Sequence, residues 1–72
     1  MTQVACRLVG LKRLRNTRFG NPMWKLTLGN GMSFDTKRDS AVGYFVTELL
    51  DREVVVTLDR GMSVVDVKEV SA

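Results

Sequence analysis

Between Val4 and Leu14 the chain alternates apolar and polar positions and then changes phase. Val4, Cys6 and Leu8 share one parity, Val9 and Leu11 the other, and Gly10 stands where they meet. This pattern predicts a long first strand bent at a β-bulge. A helical reading of VACRLVGLKRL is weakened by its β-branched valines, its internal glycine and its lack of a cap. Asn16 to Pro22 brings together Asn, Thr, Gly and Pro, which predicts a loop. In MWKLTLGNGMSFDT, Trp24, Leu26 and Leu28 share one face, and Met23, Lys25 and Thr27 the other. Met32 and Phe34 are expected on the inner face of a returning strand, with Gly-Asn-Gly between as a hairpin turn. After Asp39 or Ser40 as helix cap, Val42, Phe45, Val46, Leu49 and Leu50 recur at helical spacing and predict one short helix with a single apolar stripe. Gly43 weakens that helix unless another segment approaches closely there. Two further strands, EVVVTL and MSVVDVKEV, are joined by Asp-Arg-Gly.

The predicted order is three strands, a helix and two strands within one domain, residues 1–72. It describes a mainly β protein, a five-stranded OB-like small barrel with its short helix between strands three and four. An SH3-like barrel carries its helical turn between strands four and five, so the place of SAVGYFVTELL argues against it. The alternative is an open antiparallel sheet with the helix across one face. Val42, Phe45, Val46 and Leu49 are expected to face a core of Trp24, Leu26, Leu28, Phe34 and Val56.

Charge changes the picture more than composition does. The net charge is +3, but residues 1–34 hold six bases and no acid, and residues 35–72 hold five bases and eight acids. The halves are therefore +6 and −3, and the basic half sets up a field that attracts anionic partners. With 44% hydrophobic and 26% charged residues the chain reads as globular, and no apolar run reaches the roughly 18 residues that span a bilayer. The opening MTQVACRLVG lacks the order of a secretory signal, so a cytoplasmic location is expected. Cys6 is the only cysteine and there is no histidine, which excludes an internal disulfide, zinc sites and Cys/His or Ser/His catalysis. Cys6 reads as a small buried residue.

The layout LGNGMSFDT, helix, EVVVTL is similar over about residues 23–70 to the oligonucleotide-binding barrel of bacterial translation initiation factor one and its S1-like relatives. FGNPMWKLTLGNGMSFDT followed by DSAVGYFVTELLDREVVVTL resembles short, mostly uncharacterised small-barrel proteins of actinobacterial phages. These share a Gly-Asn-Pro turn, a strand, a short glycine-containing turn and an Asp/Ser-Ala helix. The second resemblance implies a phage setting and no particular activity.

The strongest candidate for function is KRLRNTRFGNPMW, residues 12–24. Guanidinium groups bind phosphate and stack on bases, and aromatic rings stack bases of any sequence. Lys12, Arg13, Arg15, Arg18 and Phe19, helped by Lys25 and by Arg60 in the last hairpin, are therefore expected to bind single-stranded DNA or RNA. Against this, a basic loop also simply keeps a small protein in solution. Trp24 shares the parity of Leu26 and Leu28 and reads first as core, which leaves strand two without an exposed ring. The second reading is a protein-interaction module that binds a host protein through Met23, Phe19, Tyr44 or an open strand edge. A homo-oligomer joined through the second hairpin's valines is compatible with either. The carboxylates are scattered, Asp59 and Asp66 lack companions for a metal site, and neither a P-loop nor a dinucleotide fingerprint is present. No enzyme activity, cofactor or metal is expected.

Overall fold

The computed structural model describes residues 2–38 and 40–70. The chain is mainly β. Its strands are β1 (Thr2–Arg13), β2 (Trp24–Leu28), β3 (Ser33–Asp35), β4 (Glu53–Leu58) and β5 (Val64–Glu69). They form one antiparallel sheet in the order β3-β2-β1-β4-β5. β1 occupies the middle because it serves two neighbours. Thr2–Arg7 pairs with β4, and Leu8–Arg13 pairs with β2. The change of partner coincides with a register shift between Leu8 and Gly10, where the apolar pattern changes phase. The backbone groups beside this bulge are satisfied by adjoining segments. Leu8 donates its N–H to Arg52 O at 3.0 Å, Asp51 donates to Leu8 O at 2.7 Å, and Gly29 donates to Arg7 O at 2.9 Å.

The two edge strands meet at one corner. Thr36, just past β3, forms a parallel bridge with Val64, and Lys37 donates its N–H to Val64 O at 2.8 Å. Thr36 is buried there. Its N–H donates to Trp24 O at 2.9 Å, and its Oγ1 accepts the Trp24 N–H at 3.1 Å. A single bridge is not a ladder, so the sheet curls until its edges touch without closing along their length.

Three turns share one build, in which the first residue exchanges backbone bonds with the fourth and fifth and the fourth has positive φ. In Leu28–Met32, Leu28 N–H donates to Met32 O (2.8 Å), Gly31 N–H to Leu28 O (3.0 Å), and Gly31 has φ 89°. The positive φ falls on Gly31 alone, while Asn30 Oδ1 accepts the Met32 N–H at 3.0 Å. Thr17–Asn21 repeats the pattern with Gly20 at φ 82°. Asp59–Ser63 repeats it with Met62 at φ 62°, a non-glycine residue in left-handed geometry.

The core consists of Leu8, Leu26, Leu28, Phe34, Val42, Val46, Val54, Val56, Leu58, Val64 and Val67. Trp24, Phe45, Leu49, Val4, Cys6 and Leu11 are half-buried against it. Cys6 is thus less buried than expected. Met32 is 43% exposed rather than inward, because it closes the turn before β3 begins. The expected helix is two 3-10 turns, Ala41–Tyr44 and Val46–Leu49, broken at Phe45 (φ −127°). Val42, Gly43, Tyr44, Phe45, Val46 and Thr47 are weak helix formers in succession, and Ser40 makes no capping bond. Asp39, the other expected cap, lies outside the described residues. The tighter winding turns Val42 and Val46 inward and leaves Leu50, the last member of the expected stripe, 41% exposed.

Candidate nucleic-acid interface

The loop between β1 and β2 is ordered from its own residues. Leu14 N–H donates to Met23 O at 2.9 Å and closes its root. The Thr17–Asn21 turn forms its tip, with Thr17 buried beneath it and Thr17 Oγ1 accepting the Asn21 N–H at 3.2 Å. Arg18 and Phe19 therefore occupy the two central positions of a built turn. The Phe19 ring is 73% exposed, and the Arg18 guanidinium lies over it, 5.5 Å from the ring centroid. That cation–π contact holds a large apolar side chain in water beside a positive charge.

The expected basic residues divide by what they touch. The Arg13 guanidinium lies over Trp24 at 5.3 Å from the centroid and donates to Leu14 O and Met23 O, each at 3.1 Å, and to Asn16 Oδ1. Arg13 thus braces the loop root. Lys12 and Lys25 stand directly opposite each other across β1 and β2, with Asp35 opposite Lys25 on β3. Two like charges in a cross-strand pair cost stability, which an anionic ligand would relieve. Arg15 and Arg18 are exposed at the loop itself.

Among the described residues the ion pairs are Arg7–Glu53 (3.8 Å), Lys37–Asp59 (3.0 Å) and Arg52–Glu69 (2.7 Å). Within that set none of Lys12, Arg13, Arg15, Arg18, Lys25 or Arg60 pairs with an acid. Arg60 is exposed at the first central position of the Asp59–Ser63 turn. The Lys37–Asp59 pair and the Thr36–Val64 bridge put that turn beside the end of β3, next to the start of β2 and the loop root. Arg60 and the loop therefore share one end of the sheet. The Ser63 N–H first, and then Lys37, hold the Asp59 carboxyl below its ordinary value. Glu69 correspondingly raises the Arg52 guanidinium through a hydrogen bond and its charge.

Trp24 is half-buried, and its Nε1–H donates to Gly43 O at 3.1 Å, so it joins the core to the first 3-10 turn. Pro22 packs so tightly on Gly43 that a Cβ built there would overlap the Pro22 carbonyl oxygen. Next to it, Tyr44 is 65% exposed and donates its hydroxyl to Asn21 Oδ1 at 2.6 Å. Its hydroxyl is thus engaged by the loop rather than by water alone. The sequence offered Tyr44 only as a contact for a protein partner, and its bond to Asn21, 23 residues away, was not legible there. Met23 is half-buried at the loop root.

No family model, curated protein or solved structure matches the chain. Among the described residues no helix is long and apolar enough to cross a membrane.

Proposed function

We propose that this chain is a small OB-like barrel, partly open between β3 and β5, that binds single-stranded nucleic acid and performs no catalysis. The strand order β3-β2-β1-β4-β5, with Thr36 just past β3 bridged in parallel to Val64, supports this reading, since an OB barrel pairs its strands in that order. In that architecture the β1–β2 loop and the β4–β5 turn border the groove for an oligonucleotide, and here they carry Arg15, Arg18, Phe19 and Arg60. The single observation that supports the reading most is the Phe19 ring, held in solvent under the Arg18 guanidinium, with no acid among the described residues paired to the loop's bases. A base stacks on the ring, and Arg15, Arg18, Lys12 and Lys25 neutralise phosphates along the strand. Arg13 contributes by holding the loop root against Trp24.

Fluorescence anisotropy of labelled single-stranded DNA and RNA over a salt series tests this reading. Log affinity is expected to fall linearly with log salt. Arg15→Ala with Arg18→Ala should flatten the slope by about 1.4 units if each contact contributes about 0.7. Phe19→Ala should cost about 1–3 kcal/mol with little change in slope. Absence of binding at low salt by the folded wild-type chain refutes the reading and puts a protein partner ahead.

A further inference from the structure

The base-stacking surface does not end at the loop. Tyr44 belongs to a different element, the first 3-10 turn, yet its hydroxyl reaches Asn21 of the loop at 2.6 Å. Asn21 is two residues from Phe19 within one closed turn, so their Cα atoms are at most about 7 Å apart. Two large rings, 73% and 65% exposed, are thus attached to the same short segment, Phe19 as part of it and Tyr44 through Asn21. Rings so exposed in an 8.1 kDa chain contribute little to its core. Neither is left free to collapse onto the surface. Phe19 is held by Arg18, and Tyr44 is held by Asn21 and by the packing of Gly43 against Pro22.

Resting on the nucleic-acid reading above, we propose that Tyr44 is a second base-stacking residue. With Phe19 it forms a two-ring platform that takes two nucleobases of one strand, with Arg15 and Arg18 on the connecting phosphates. The charge at the site supports this occupant. Arg18, over the Phe19 ring, and Arg15, on the same loop, pair with no acid among the described residues, and stacking on two rings requires bases that are already unpaired. The Asn21 contact is made at the phenol oxygen and not on the ring face.

Tyr44→Ala, Tyr44→Phe, Asn21→Ala and Phe19→Ala, measured against a labelled single-stranded oligonucleotide at fixed low salt, test the proposal. Trp24 adds a second readout. It is the chain's one tryptophan, and its Nε1–H bonds to Gly43 O, one residue from Tyr44, so its indole resonance reports ligand at the 3-10 turn. Tyr44→Ala is expected to weaken binding roughly 5- to 150-fold, as loss of one stacked base does, with an unchanged salt slope. Tyr44→Phe should keep most of the affinity, and the indole resonance should shift on titration. Wild-type affinity in Tyr44→Ala, while Phe19→Ala still weakens binding, overturns the two-ring platform and leaves the nucleic-acid reading intact. Losses in Tyr44→Phe and Asn21→Ala equal to that in Tyr44→Ala also overturn it, because the tyrosine would then only position the loop. No binding by the wild-type chain overturns both readings together. Circular dichroism keeps the set interpretable, since an exposed ring is removed without opening the core.

Discussion

The turns Thr17–Asn21 and Asp59–Ser63 have the same backbone and different chemistry. Each is closed by the same pair of backbone bonds, each has its first side chain accepting the fifth residue's N–H, and each places an arginine second, Arg18 or Arg60. Beyond that shared inner bond, the difference lies in the outside contact each turn makes and in the charge at its base. The first is neutral at its base and is supported from outside by Gly43 against Pro22 and by Tyr44 on Asn21. The second is charged at its base, where Lys37 from beyond the end of β3 pairs with Asp59. The first also has glycine at the left-handed position, whereas the second has Met62 there and its glycine one place early. One backbone solution is thus used once to present an exposed ring under an arginine, and once to close a hairpin.

The largest expected effect breaks the outside support. Gly43→Ala drives a methyl group into the Pro22 carbonyl and should destabilise the chain by about 1–3 kcal/mol. Amide exchange should speed up at Thr17 and Gly20 far more than at Met62, and equal acceleration at both turns would show that the supports are not separate. Next, exchanging the left-handed residues should move stability in opposite directions. Gly20→Val meets no neighbouring atom, so its cost of about 1–2 kcal/mol is conformational. Met62→Gly should raise stability by about 0.5–1 kcal/mol, the relief of strain less the added freedom of glycine in the unfolded chain. For a domain of this size, thermal melts resolve such differences as shifts of about 4–8 °C per kcal/mol. The smallest effect concerns pH. Because the folded state holds the Asp59 carboxyl below its ordinary 3.8, its contribution is present above that value and is lost as pH falls through the lowered folded value. Melting temperature should therefore decline more steeply in acid for the wild-type chain than for Asp59→Asn, and identical acid profiles would contradict the assigned role.

Much of the framework was legible because it depends on neighbours in sequence. EVVVTL coincides with β4, the phase change at Gly10 coincides with the register shift, and Gly31 takes the positive φ of its turn. Alternation and turn chemistry act over two to five residues, within reach of a local pattern. The stripe Val42–Leu50 was less legible. Spacing identified Val42 and Val46 as core, but not that the winding would tighten to 3-10 and expose Leu50. The close approach of Pro22 to Gly43 was also not legible, because only the folded chain brings the two together.

The candidate site divides along the same line. The amino-acid order by itself determined that the first half is basic, that Arg15, Arg18 and Phe19 lie on one loop, and that Trp24 follows the core parity. Covalent connectivity and side-chain period are sufficient for each of these. Tertiary structure alone decided that Arg13 braces Trp24, that Arg60 lies at the same end of the sheet as the loop, and that Tyr44 reaches Asn21. The first follows from the pairing of β1 with β2, the second from the curl that brings Thr36 to Val64, and the third from the packing of the first 3-10 turn beside the loop. Such contacts join residues that lie far apart in the sequence, and they form only once burial of the shared core compensates the entropy of closing the intervening chain.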